Sequence, residues 1–389
     1  MEGSAQPSVL SPQEPESPQA LAAAVSEAAS AGTAVRFVGG HTKIAWGSAA
    51  GQATPISTKG LRTIHEHNAG DLTAVVDAGV TLAELQERVG SEGQMLALDP
   101  PLGEGDAATL GGIVATGDSG PLRHRYGSAR DLVVGMTVAL SDGTLAKSGG
   151  KVIKNVAGYD IAKLFTGAYG TLGAILGISV RLHPLSPTTA TAIGRSDDPG
   201  LLASAATGLS HARVELQSLD VRWEAGVGAV LARFGGQSAA EPAREAAGVM
   251  GEQGLDTEVA EDDGALWDAQ RAGQRSSEGT VVKVSGLQTQ IPELLRTARA
   301  LDARVVGRAG LGLYWVTLPP GSNAAEGLQS LRQALVPSPC VVLDAPDQVR
   351  DAVDVWGAPD PATLVLMRRV KERFDAAGVC APGLFAGGL

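Results

Sequence analysis

Five short backbone-rich stretches carry the strongest hint of chemistry in this chain. They are Gly39-Gly40-His41-Thr42-Lys43, Thr109-Leu110-Gly111-Gly112, the segment 117–120, Gly158-Tyr159-Asp160 and Gly170-Thr171-Leu172-Gly173. Glycine lets a backbone come close to a ligand. Successive N–H groups in such turns, or at a helix N-terminus, bind phosphate. One such loop is an ordinary tight turn. Five within about 135 residues point to a large phosphate-bearing ligand held by neutral donors, because Arg and Lys are scarce beside them.

Other motifs fail on context. Gly103-Glu104-Gly105-Asp106-Ala107-Ala108 fits a dinucleotide spacing but follows Asp99-Pro100-Pro101-Leu102 and not a strand. Gly117-Asp118-Ser119-Gly120-Pro121 imitates a serine-protease nucleophile, yet helix-like segments surround it and no disulfide framework exists. His65-Glu66-His67 has the wrong spacing for a helical zinc pair and reads as a polar turn. Gly149-Gly150-Lys151-Val152 lacks the upstream Gly and the Ser/Thr of a P-loop. No metal site and no nucleophilic triad is expected.

Composition narrows the partners. There are 42 acidic and 31 basic side chains, a net charge of -11, and no long basic run, so a nucleic-acid partner is not expected. Cys340 and Cys380 cannot make a disulfide framework or a multi-cysteine metal site and read as buried thiols in a reducing, cytoplasmic setting. Residues 1–19 have no basic region before an apolar run, so neither a secretory signal nor a transit peptide is read there. Residues 1–17 read as a disordered lead-in. The longest uncharged apolar window, 164–180, is broken by four glycines and is shorter than the ~20 residues of a spanning helix.

The elements that must position the loops follow from periodicity. Residues 18–31 read as a helix with Leu21, Ala24, Val25 and Ala28 on one side; strands are expected at 34–38, 72–78 and 95–98. Thr81 and Glu84 form a capping box for a helix that Gly90 ends. Segments 132–140 and 144–147 flank Asp142-Gly143 as a hairpin, and 172–182 is a further strand. After residue 187 the composition changes. Strand-like runs at 212–221, 226–234, 280–285, 303–307, 311–318 and 340–343 alternate with Ala/Glu/Arg-rich helices, which fits antiparallel strands with helices on one face. A last helix at 362–374 precedes a Gly/Pro-rich tail. The fold class is α+β.

Several motifs together resemble the FAD-binding (PCMH-type) domain of the vanillyl-alcohol oxidase / p-cresol methylhydroxylase family. They are Gly40-His41-Thr42-Lys43 with Trp46-Gly47, Leu98-Asp99-Pro100-Pro101, Thr109-Leu110-Gly111-Gly112, the stretch 125–132 (RYGSARDL), the stretch 154–165 (KNVAGYDIAKLF) and Gly170-Thr171-Leu172-Gly173. Asn155-Val156-Ala157-Gly158-Tyr159-Asp160 with Lys163-Leu164-Phe165 is most similar to the E-type FAD-binding subunits of glycolate oxidases. The resemblance covers residues 18–187 and resumes in 367–388. It implies a lead-in at 1–17, an FAD-binding domain of two α+β subdomains at 18–187, an antiparallel α+β cap at 188–360 and a C-terminal helix and tail at 361–389 that pack back on the FAD domain.

The cofactor implied is FAD. Its pyrophosphate would lie on N–H groups of Gly39, Gly40, His41 and Thr42, beside Lys43, and of Thr109, Leu110, Gly111 and Gly112. Thr116, Gly117 and Ser119, with Gly158, Tyr159 and Asp160, would line flavin and ribose near Pro100; Gly173 and Ile175 would serve the adenine side. His41 stands where some covalent members carry a flavin-linked histidine and is read as a phosphate-loop residue. Ala381 and Leu384 replace the family's Asn and Arg. The cap holds only His211, without the metal-binding histidines of catalytic 2-hydroxy-acid dehydrogenases. His124 and Tyr126 are candidates for the catalytic base, which is otherwise unassigned. A carboxylate substrate needs a cationic clamp; Arg123, Arg125, Arg213, Arg222 and Lys283 are available.

Three readings remain open at this point. One is an FAD subunit of a glycolate oxidase complex, with a sister FAD subunit holding the main hydroxy-acid site. An iron–sulfur subunit would then relay electrons toward membrane quinone, this chain having no span of its own. The others are a self-sufficient FAD-dependent oxidase of a small alcohol or hydroxy acid, and a non-catalytic flavin-bearing interaction subunit.

Overall fold

In the computed structural model, residues 13–49, 51–150, 160–321 and 323–389 are described. Ser17 accepts from Ala20 N and Pro18 sits at the first helical turn, so the first helix, Pro18–Ser30, starts where its orphan N–H groups are capped. It buries Leu21, Ala22 and Val25 against Val35, Ile56 and Leu61. Val35–Val38 and Thr54–Ser57 run parallel, with Gln13 bridged beside Ile56 and Cys380 beside Val35. Residues 13–17 are thus part of the fold, a correction to the lead-in read through residue 17; its first 12 residues lie outside the described ones.

A second, antiparallel sheet runs Ile64–Asn68, Thr73–Asp77, Ala174–Arg181, Val133–Ala139, Leu145–Gly149. Leu82–Gly90, opened by the Thr81/Glu84 capping box, and Leu110–Thr116 contribute Leu82, Leu85, Val89, Leu110 and Ile113 to the core it shares. The Asp142-Gly143 turn forms the hairpin, with Thr144 N bonded to Asp142 Oδ1 at 2.8 Å. His65-Glu66-His67 is a strand and not a turn. Pairing with Thr73–Asp77 outweighs its polar composition, and His65 bonds Asp77 at 2.7 Å. The strand expected at 95–98 shrinks to Gln94–Met95.

Gln94–Met95 pairs with His183–Pro184, and the strands from Thr189 onward make one eight-stranded sheet, entirely antiparallel. Its order is Asp256–Ala260, Thr189–Ser196, Val227–Gly235, Ser218–Glu224, Arg304–Arg308, Leu313–Leu318, Thr280–Ser285, Cys340–Val342. Pro199–His211, Ala240–Glu252, Ile291–Ala300 and Ala324–Ala334 pack on one face. The other face carries Val281, Val306, Leu313 and Trp315, and meets Trp46 and Tyr169 of the first half. One helix departs from the one-sided arrangement: Gly264–Ala272 puts Trp267 against Ile193, Ala229 and Leu231 on that other face. The strand expected from residue 212 starts only at Ser218, because Pro199–His211 runs on to residue 211.

The two halves are tied by specific bonds. Trp46 Nε1 donates to Asp344 Oδ1 at 2.9 Å, and Arg350 to the Gly47 carbonyl at 3.1 Å; Arg275 Nε, from the same half as Asp344, holds that carboxylate at 2.6 Å. The last helix, Pro361–Phe374, sends Lys371 to the carbonyls of Thr171 and Cys380, and the tail brackets Val35 through Val379 O and Ala381 N.

Candidate functional site

A cleft, partly open to solvent, lies between the parallel strand pair and Leu110–Thr116. Gly39, Gly40, His41, Thr42, Lys43, Thr109, Gly111, Gly112, Thr116, Gly173 and Ile175 all line it, so the fold gathers residues spread over more than 130 positions.

The loop 39–43 leaves its strand directly into the cleft wall. Ile44 N bonds His41 O at 3.1 Å and Trp46 N bonds Lys43 O at 3.0 Å, closing the turn. His41 takes φ 61°, a left-handed conformation that makes the chain bend here. Among the described residues, the N–H groups of Gly39, Gly40, His41, Thr42 and Lys43 donate to nothing. Five consecutive unpartnered donors on a cleft wall form an anion-binding nest. The two glycines are forced by packing. A Cβ on Gly40 would stand 1.6 Å from Ala107 O, and one on Gly39 2.3 Å from Thr109 Oγ1.

The second expected phosphate loop behaves differently. Leu110 N donates to Val80 O at 2.9 Å, Gly111 N to Ala78 O at 2.8 Å, and Gly112 N to Thr109 Oγ1 at 3.2 Å. The backbone donors of 110–112 are therefore engaged inside the protein, which corrects their expected role as pyrophosphate ligands. Gly111 is needed because its Cβ would reach Ala78 Cβ at 2.8 Å. Gly111 and Gly112 give the cleft a smooth wall.

Charge enters from residues outside the glycine loops. Arg36 lines the cleft, donates to the Ile44 carbonyl and, among the described residues, has no carboxylate partner; burial lowers its pKa from the ordinary value. Lys43, its side chain 5% exposed, lies 3.3 Å from Asp118, itself 2% exposed. Tyr169 lines the inner wall at φ 56°, its ring against Trp356 at 5.1 Å and Phe385 at 5.6 Å. Burial, and then the charge of Asp118, push its hydroxyl well above the ordinary tyrosine range. Leu384, where the family has Arg, also lines the cleft, so the tail contributes an apolar contact there.

Other expected site residues sit elsewhere. Leu110 is core, and Gly117 is the left-handed C-cap of Leu110–Thr116. Pro100 does not line the cleft. Ser119 is buried, its carbonyl accepting from Gln274 Nε2 at 3.0 Å and Arg308 at 3.4 Å. Asp160 pairs with Lys163 at 3.1 Å, while Gly158 and Tyr159 lie outside the described residues. His124 packs against Gly310 with Nδ1 buried and unpartnered, and burial lowers its pKa. Tyr126 packs against His183, the ring centres 4.7 Å apart and the planes tilted by 54°. Neither reaches the cleft wall.

Sequence reasoning missed Arg36, Trp46 as a wall residue, and Tyr169. Trp46-Gly47 was part of the motif pattern, and Tyr169 directly precedes Gly170, so adjacency to flagged residues was the available signal. The five candidate cations separate by partner. Arg125 pairs with Glu215 at 3.2 Å, Arg222 with Glu224 at 3.4 Å, and Arg213 is exposed. Arg123 donates to Ser119 Oγ at 3.3 Å with the Asp131 carboxylate acting on it, and Lys283 Nζ lies 6.0 Å from the Trp315 ring centre. Among the described residues no group of three His, Cys, Asp or Glu side chains could hold a metal, and no helix is long and apolar enough to cross a membrane.

Comparison with known proteins agrees with this geometry. Residues 13–149 match the family described as "FAD binding domain". Glycolate oxidase subunit GlcE of Escherichia coli (strain K12) is 36% identical over 166 residues, which are 43% of this chain and 47% of that protein. The mitochondrial D-lactate dehydrogenase [cytochrome] of Arabidopsis thaliana is 34% identical over 151 residues, 38% of this chain and 26% of that one. The match thus spans less than half the length of these relatives. A solved alkyldihydroxyacetonephosphate synthase superposes with TM-score 0.69 over 95% of this chain and 75% of its own, at 15% identity, and shares the fold. Residues 13–149 are an FAD-binding domain of the PCMH type, and FAD is this protein's cofactor.

Proposed function

We propose that this chain is an FAD-dependent oxidoreductase of the glycolate oxidase kind, acting on a 2-hydroxy acid as one subunit of a complex. The observation that carries it is the run of five unpartnered N–H groups at 39–43 on the wall of a cleft that gathers the glycine loops. In this reading the nest holds the pyrophosphate of FAD, and Arg36 adds the positive charge. Gly111, Gly112, Gly173 and Ile175 give the flat walls against which the rest of the cofactor packs. Tyr169 and Trp46 mark the inner end, where the cleft meets the cap sheet.

Bound FAD supplies a two-electron acceptor for the hydride on the hydroxyl-bearing carbon. The chain's own part is positional. Lys43 and Asp118 neutralise each other beside the inner end, and the apolar face of Val281, Val306 and Trp315 keeps water from it. The hydroxyl proton goes to a base that no residue on the cleft wall is assigned to be.

Similarity to a glycolate oxidase subunit supports a complex with a sister FAD-binding catalytic subunit and an iron–sulfur subunit that takes the electrons onward. Such a complex would work on the cytoplasmic side of the membrane. Anaerobic addition of glycolate, D-lactate or D-2-hydroxyglutarate to the FAD-loaded chain, alone and with co-purified partners, tests this. One of the acids should bleach the flavin in the complex. A flavin that stays oxidised with every acid and with partners present contradicts the proposal, and full bleaching of the isolated chain would favour the self-sufficient reading.

A further inference from the structure

The last helix, Pro361–Phe374, is packed on one side and bare on the other. Leu364 lies against Gly387, Lys371 is bonded to two carbonyls and to Asp375, and Val370 and Phe374 pack on the core of the FAD-binding half. On the opposite side Val365 and Leu366 are 48% and 63% exposed, and Arg369 and Arg373 continue the same face at helical spacing. Among the described residues neither arginine has a hydrogen bond or an ion pair. A second helix, Ala240–Glu252, is built the same way with the charges reversed. It turns Ala243, Ala246, Ala247 and Met250 into the core under the eight-stranded sheet. Its bare side carries Glu241, Glu245, Gly248 and a 43% exposed Val249. Neither glutamate has a partner among the described residues.

The two faces match residue for residue when laid antiparallel. Arg373 then meets Glu241, Arg369 meets Glu245, Val365 meets Val249, and Leu366 meets the open space beside Gly248. The charges of the wrong sign match too. Glu372 borders the arginines and Arg244, which pairs within the chain with exposed Glu261, borders the glutamates; the antiparallel arrangement brings these two together. It also sets the C-terminal end of one helix dipole beside the N-terminal end of the other. Each chain carries a net charge of -11, so copies repel one another except where charges are arranged to pair. We infer that this face of Pro361–Phe374 docks on Ala240–Glu252 of a second copy of the chain. Exposed ion pairs are individually weak, so the association is reversible. A two-fold arrangement makes the contact twice, and a one-way arrangement extends it into a row of chains. Neither helix lines the cleft, so the contact is independent of the reaction proposed for it.

The test is sedimentation equilibrium of the full chain with FAD added. The parent should associate reversibly at concentrations below about 0.5 mM. Arg369→Glu combined with Arg373→Glu should weaken association by roughly tenfold or more, and so should Glu241→Arg combined with Glu245→Arg. An equimolar mixture of the two variants should recover the association of the parent, because each reversed face then meets its reversed counterpart and each native face its native one. Circular dichroism and FAD content should stay parental in both variants, since every changed side chain is exposed. A parent that remains monomeric over that range overturns the inference. Association that survives either reversal overturns it as well, and so does a mixture no more associated than its components. A monomer held by Arg369 and Arg373 on phosphatidylglycerol vesicles would assign the helix face to an anionic membrane and remove the second copy. None of these readings uses flavin reduction, so the contact and the proposed reaction fail separately.

Discussion

At Gly40 a single added carbon would stand 1.6 Å from the Ala107 carbonyl oxygen and 2.6 Å from its carbonyl carbon, both of them backbone. Gly40→Ala must therefore push the 39–43 loop out of the cleft wall. The purified variant should hold less than about a tenth of the parent's FAD, read from the ratio of flavin to protein absorbance. Equal FAD content would show that the loop does not hold the cofactor. Lys43 and Asp118 form a pair almost without solvent, so Lys43→Met leaves a buried carboxylate alone and should destabilise by about 3–5 kcal/mol in denaturant titration. Asp99 is pushed up to about 7 by burial, against the pull of Arg271 and Arg308. Between about pH 4 and pH 7 the unfolded chain has released this proton while the folded chain keeps it, so the site lowers stability as pH rises and costs nothing below that window. Asp99→Asn should gain melting temperature relative to the parent on going from about pH 5 to about pH 8, and a constant difference would contradict the assignment. At this scale the glycines of 39–43 were legible because their spacing after a strand is a local signal. The donors of 110–112 were overcounted because Ala78 and Val80, which engage two of them, are some 30 residues away.

Elements read from periodicity kept their places when the signal was local. The capping box at Thr81 and Glu84, the Asp142-Gly143 hairpin and Thr280–Ser285 are all present as expected. Thr54–Ser57, Thr189–Ser196 and Asp256–Ala260 went unread because each is made a strand by a distant partner and not by its own pattern. The same dependence on distant partners gives the cap a role in the cleft. Asp344 receives Trp46 Nε1 and Arg275, and so holds the loop that runs on from residue 43. Asp344→Ala should leave the eight-stranded sheet formed, judged by far-ultraviolet circular dichroism, while weakening FAD binding by about tenfold through the loosened loop. A variant with parental FAD affinity would limit Asp344 to a structural tie.

For the whole molecule, the cleft is a joint product of three parts of the chain. The parallel pair and Leu110–Thr116 supply its walls, the eight-stranded sheet packs against the wall residues Trp46 and Tyr169, and the tail adds Leu384 and the bracket around Val35. An α+β layout with an antiparallel second half was legible from composition and strand spacing. The order of the eight strands was not, because it is set by distant pairings such as Asp220 with Arg308. A ligand spanning these parts stabilises them together, so FAD at about 100 times its Kd should add about 2.7 kcal/mol and raise one shared melting transition. The most direct measurement is the visible absorption spectrum of the full chain, purified and then mixed with FAD and desalted. The account predicts the bands of a bound flavin at one FAD per chain. A colourless protein that takes up no added FAD would contradict it.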